Sequence, residues 1–178
     1  MTDRDASAGS WVMGDSPEPA QHPIPKPHDP PRSIVVGVGA IVTRDDHILL
    51  VQRGHPPMEG AWSIPGGRVE MDETLPQAVY RELLEECALE VTVGDVAIIL
   101  DRITRGLDGR VISHYLIVDF WATAAHDQVR ACSDARDVGW FTLDQIRQLP
   151  TTTNLTWYLE EALRRRSAGL PGCLVVSE

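Results

Sequence analysis

The sequence predicts one domain of α/β class (α+β under some schemes), a mixed β-sheet flanked by helices. Segments with strand character recur from residue 34 to residue 141. Helical patterns interrupt them, but without the regular strand–helix alternation that builds an all-parallel sheet. The chain has 178 residues, 43% of them hydrophobic, which suffices for one sizeable core and leaves no room for a second catalytic domain.

Residues 1–32 hold seven of the 13 prolines and show no sustained hydrophobic period, so they read as a flexible arm. Trp11 and Val12 could anchor that arm, although an unstructured leader is the expectation. The domain is expected over residues 33–168. Ile34–Val42 reads as a buried strand whose glycines, Gly37 and Gly39, allow something to approach its face. Asp45-Asp46 marks a turn, and Ile48–Val51 a neighbouring strand. Trp62-Ser63-Ile64 is expected as a strand ending at the pair Gly66-Gly67. Thr74-Leu75-Pro76-Gln77 then fits a capping box, with Thr74 as N-cap and Pro76 in the first helical turn.

After that helix, Val91–Ile103 is strand-rich, Gly106–Gly109 marks a hairpin turn, and Val111–Ala122 returns as a long strand. Trp140-Phe141 suggests a short strand and Thr142–Ile146 a short helix. Asn154–Arg166 gives a longer helix, with Leu155, Leu159 and Leu163 recurring every four residues. Residues 169–178 are expected to be a loose tail, in which Leu174-Val175-Val176 could still add to a sheet edge.

The net charge of −10, with no basic block, argues against nucleic acid as a partner. Cys87, Cys132 and Cys173 are scattered, with neither a paired motif nor a zinc spacing, which suggests a reducing compartment. Cys87 is expected in the core beside Leu83. The N-terminus does not read as a signal peptide, and no apolar run reaches the ~20 residues needed to cross a bilayer. The expectation is a cytoplasmic protein with no membrane partner.

The helix that opens after Thr74 is the most informative segment. With Glu82 set at zero and roughly 100° per residue, Glu85 falls near −60° and Glu86 near +40°. Val79, Tyr80, Leu83, Leu84 and Cys87 cover the adjoining arc as a core face. Like charges at these spacings oppose helix formation, and they sit near the C-terminus, where the macrodipole already disfavours anions. Arg81 reaches Glu85 at i+4, but one guanidinium cannot neutralise three carboxylates. A hard divalent cation with oxygen ligands could.

Read together, Gly67, Glu73 and Arg81-Glu82-Leu83-Leu84-Glu85-Glu86-Cys87-Ala88-Leu89 resemble the Nudix box, Gly-x5-Glu-x7-Arg-Glu-apolar-x-Glu-Glu-x-Gly-apolar. Only Ala88 departs, standing where the pattern has a glycine that favours a left-handed helix end. The resemblance implies an α/β/α sandwich and hydrolysis of a diphosphate bond in a nucleoside diphosphate-linked small molecule. It places ligands for Mg²⁺ or Mn²⁺ at Glu82, Glu85 and Glu86, joined by the carbonyl of Gly67. It has Glu85 or Glu86 orient or deprotonate the attacking water, and gives Arg81 and Glu73 a supporting ion pair. Asp134 and Asp137 are alternative bases, with simple turn acids an equal reading.

Segments outside the box, including Asp101-Arg102-Ile103, His114-Tyr115 and Val118-Asp119-Phe120, are similar to the ADP-ribose pyrophosphatase-like branch. They imply ADP-ribose or a nucleotide sugar as substrate. Arg53 is a candidate phosphate contact, and Trp62 and Tyr115 are candidates to stack on a base or ribose, against the alternatives of surface charge and core packing. His114 reads as a strand histidine satisfied by hydrogen bonds. The competing readings are a nucleoside triphosphate pyrophosphohydrolase and a non-catalytic nucleotide sensor. Because many family members are dimers, a homodimer stays open.

Overall fold

The structure, a computed structural model, describes residues 33–178; the expectations for the proline-rich arm, with Trp11 and Val12, fall outside the described residues. Eleven elements follow in order. They are β1 (Val35–Arg44), β2 (His47–Arg53), β3 (Trp62–Ser63), β4 (Gly66–Arg68), α1 (Leu75–Cys87), β5 (Val91–Arg105), β6 (Val111–Ala124), β7 (Ala135–Thr142), α2 (Leu143–Ile146), α3 (Leu155–Ser167) and β8 (Leu174–Ser177). The strands form one eight-stranded sheet in the order β3-β2-β1-β6-β5-β8, with β4 added on β1 and β7 on β2. β1 runs parallel to β6 and β5 parallel to β8, while the remaining pairs are antiparallel, so the sheet is mixed as expected.

Two cores cover its faces. On one, Ala78, Val79, Leu83 and Cys87 of α1 pack with Val38, Leu49, Val118 and Phe120. On the other, Leu155, Tyr158, Leu159 and Ala162 of α3 join Ile146 of α2, Ile41, Leu50, Ile98 and Leu100. Alternation along the strands sorts residues between the layers: Val38 faces α1, while its neighbours Gly37 and Gly39 face the α3 side. The core-facing arc of α1 is narrower than the sequence suggested, because Tyr80 and Leu84 lie at its margins and stay exposed.

Two expectations change. The approach to the box is not one strand ending at the glycine pair. β3 stops after Ser63, and Gly66-Gly67 begins β4, pairing with Gly39 and Val38. The break falls at Ile64-Pro65, where proline has no N–H to give a ladder. Residues 169–178 are not a loose tail either, since Leu174–Ser177 pair in register with Ile98–Asp101 and close the outer edge of β5. This is the edge addition that the apolar run at 174–176 allowed. No helix among the described residues is long and apolar enough to cross a membrane.

Candidate active site

The entry to α1 is built as its sequence implies. Thr74 is the N-cap, and its N–H and hydroxyl both donate to Oε1 of Gln77 at 2.8 Å. Ala88 ends the helix in the left-handed region at φ 51° and ψ 39°, its N–H returning to the carbonyl of Leu84. The conformation expected of the family's glycine is therefore kept without glycine.

Arg81 organises the acids. Its Nη2 and Nε donate to Glu73 at 2.7 and 3.0 Å, its Nη1 to Glu82 at 2.8 Å and Glu85 at 3.3 Å, and its Nη2 also to the carbonyl of Arg68 at 3.0 Å. The hydrogen bond from Arg81 holds the Glu73 carboxyl below its ordinary range, and Glu73 in turn raises the guanidinium pKa. This ties the loop carrying Glu73 to β4 and α1.

Glu82 and Glu86 flank the glycine pair. A Cβ on Gly67 would fall 2.2 Å from Oε1 of Glu82, so glycine is what lets that carboxylate lie against the backbone. Oε2 of Glu86 accepts the N–H of Gly66 at 2.9 Å. Burial raises the Glu82 pKa against the pull of Arg81, and burial pushes the Glu86 carboxyl up to about 7, opposed by the Gly66 N–H. Glu85, half exposed, faces outward beside Arg81.

Among the described residues, no three acidic, histidine or cysteine side chains already stand together as an ion cage: Glu82 turns to Arg81 and Glu86 to Gly66. The donor set nevertheless fits a hard divalent ion, because the side chains are all carboxylates gathered at one turn. Glu85 is half exposed and held by Arg81 alone among the described residues, and the Glu82 carboxylate lies against the Gly67 backbone.

The other expected residues divide. Arg53 and Asp134 lie close enough for their charges to act on Glu86. Nε of Arg53 donates to the carbonyl of Pro57 at 3.0 Å, and Asp134 pairs loosely with His55 at 3.7 Å. Asp137 turns its carboxylate to the N–H of Val138 at 2.8 Å. Tyr115 accepts a hydrogen bond from Nη2 of Arg68 at 3.2 Å, one residue beyond Gly67, and so borders the site. Trp62 does not: it is 8% exposed and packs edge-on against Phe141 at 4.8 Å, which leaves no ring face for a substrate. His114 is satisfied by Asp101 at 2.7 Å.

A residue outside the expected set is Asp119 on β6, opposite Gly39 in register and 9% exposed. A Cβ on Gly39 would come 2.4 Å from Oδ1 of Asp119 and 3.0 Å from Ile64, so the glycine makes room for this carboxyl. Burial pushes it up to about 7, with Arg102 pulling the other way. An acid inside the apolar run Leu116–Phe120 was the available signal. Gly37 and Gly39 on β1 stand opposite Ile117 and Asp119 on β6, on the α3 side of the sheet.

A mixed sheet covered by helices on both faces, with an acid-bearing helix locked to its preceding loop by one arginine, defines a Nudix-type domain, and comparison agrees. The NUDIX domain profile matches residues 34–164, and the chain belongs to the Nudix hydrolase family. It is 33% identical over 114 residues to an ADP-ribose pyrophosphatase of Methanocaldococcus jannaschii, covering 64% of this chain and 65% of that one. It is 40% identical over 94 residues to a CTP pyrophosphohydrolase of Escherichia coli, covering 51% and 67%. The chain thus spans about two thirds of the length of these relatives. Among solved structures, a MutT NUDIX hydrolase from Burkholderia pseudomallei superposes with a TM-score of 0.63 at 31% identity, covering 72% of this chain and 98% of that one.

Proposed function

We propose that the chain is a divalent-metal-dependent pyrophosphohydrolase that cleaves the diphosphate linkage of a nucleoside diphosphate derivative. ADP-ribose or a nucleotide sugar is the preferred substrate, giving a nucleoside monophosphate and a sugar phosphate. The carrying observation is the seating of Glu82 and Glu86 on either side of Gly66-Gly67, with Glu82 in the space where Gly67 lacks a side chain. Glu82, Glu85, Glu86 and the carbonyl of Gly67 would hold Mg²⁺ or Mn²⁺. A bound ion of this kind screens linked phosphates and lowers the pKa of a water.

The chain's own groups do the positioning. Arg81 fixes Glu82 relative to Glu73, and the Gly66 N–H fixes Glu86. Glu85 or Glu86 orients or deprotonates the attacking water. Arg53, at the end of β2, presents a cation toward the same acids and suits a phosphate oxygen. The Gly67 carbonyl lies 3.3 Å from a Cβ placed on Gly37, so the missing side chain there lets β4 lie close against β1 at the box.

The similarity to a CTP pyrophosphohydrolase supports a second reading, a nucleoside triphosphate pyrophosphohydrolase, which the same acids would serve. A panel of ADP-ribose, nucleotide sugars, dinucleoside polyphosphates and nucleoside triphosphates, assayed with Mg²⁺, separates the two. In that panel Glu85→Gln and Glu86→Gln should lower turnover on the best substrate by at least about a hundredfold. Near-wild-type turnover in both variants would end the hydrolase assignment.

A further inference from the structure

We propose that Arg102, Asn154 and Tyr158 form an anion-binding subsite between β5 and the start of α3, filled in this structure by the side-chain carboxylate of Glu178. Nε and Nη2 of Arg102 each reach Oε2 of Glu178 at 2.9 Å. Nδ2 of Asn154 donates to Oε1 at 2.8 Å, and the Tyr158 hydroxyl donates to the same oxygen. Donors from β5 and from the start of α3 thus converge on one carboxylate from two sides. A guanidinium fork supplemented by neutral donors accepts carboxylate and phosphate oxygens alike.

Holding β8 in place does not require this arrangement. β8 already pairs with β5 over Leu174–Ser177, and the backbone of Glu178 adds two bonds, its N–H to the carbonyl of Asp101 at 2.9 Å and its carbonyl from the N–H of Ile103 at 2.8 Å. The side chain is therefore free to leave while the strand stays. Arg102 and Glu178 keep 29% and 26% of their side-chain surface exposed, so an anion from solution can reach the donors.

The position links the cluster to the proposed site. Arg102 stands opposite Tyr115 in register, and Tyr115 is bonded to Arg68, which follows Gly67. From β4 across β1 and β6 to β5 is three strand spacings, about 14 Å. A substrate with its diphosphate at the box and long enough to span that distance would bring a remote phosphate or carboxylate to Arg102, displacing Glu178. This role in turnover rests on the hydrolase reading, but binding of an anion by the cluster does not.

The test is therefore made without metal, in EDTA, on the full chain. Binding of inorganic phosphate, and separately of acetate, is measured by calorimetry for the wild type and Glu178→Ala. The vacated site should bind phosphate at least tenfold more tightly than the wild type, and both Arg102→Gln and Asn154→Ala added to Glu178→Ala should cancel the gain. Melting curves confirm folding, and the Asn154 variant carries the test if the Arg102 variant fails to fold. A gain with phosphate alone assigns the subsite to phosphate, and a gain with both probes to anionic oxygens generally. A folded Glu178→Ala protein that binds neither probe better than the wild type overturns the proposal. A phosphate gain in a protein inactive on every nucleotide would fault the hydrolase reading and leave the subsite standing.

Discussion

Replacing Asp119 by asparagine should make the protein more stable, and increasingly so as pH rises. Asp119 is buried against Gly39 and Ile64, and burial pushes its carboxyl up to about 7, with Arg102 only partly offsetting that effect. In the unfolded chain an aspartate titrates near 3.9. Below about pH 4 the group is neutral in both states and costs nothing. Between about pH 4 and pH 7 the unfolded chain releases the proton while the folded chain retains it, so stability falls by about 1.4 kcal/mol per pH unit. Above about pH 7 both forms are ionised and the loss stops growing, at a total on the order of 4 kcal/mol. Asparagine has nearly the shape of the protonated acid and does not titrate. Urea unfolding of Asp119→Asn and wild type from pH 5 to pH 8, at one ionic strength, should show a gap in favour of the variant that widens by roughly 2 to 3 kcal/mol up to about pH 7 and then levels off. Parallel curves, or a variant less stable at every pH, would refute the argument that burial of this carboxyl opposes its charge.

Ala88 holds a left-handed conformation that costs an L-residue about 1 kcal/mol, so Ala88→Gly should raise the melting temperature by about 2 °C in calorimetry; an unchanged or lower value would show that the helix end is not strained. At Gly67 a methyl group would meet the end of the Glu82 side chain 2.2 Å away, and no backbone atom lies as close. Gly67→Ala should therefore leave urea stability within about 1 kcal/mol of wild type while Mg²⁺-dependent turnover falls by about tenfold to a hundredfold. A variant that loses both together would place Gly67 in the fold rather than in the chemistry.

The parts that the sequence exposed were those written in local periodicity. Glu82, Glu85 and Glu86 fall on one side of a helix whose other side is apolar, and three- and four-residue spacing alone shows this. The capping of α1 by Thr74 and Gln77 was legible for the same reason. What escaped was set by contacts between distant segments. Asp119 is accommodated because Gly39, eighty residues earlier, lies opposite it, and only the parallel register of β1 and β6 brings the two together. Between stacking and core packing, Trp62 takes the core, and the Phe141 ring that it packs against there lies far away in sequence. The strand at Leu174–Ser177 depends on a partner: a three-residue apolar run becomes a strand only where another strand's edge awaits it, and here that edge belongs to β5.

Arg81 has a consequence beyond catalysis. By bonding to Glu73, Glu82 and Glu85 at once, it gives an acid-rich segment a positive partner encoded in the chain. Such a segment can fold without first capturing an ion from its surroundings. Folding and the proposed ion capture would then draw on different cations, and a chelator would strip one while leaving the other in place.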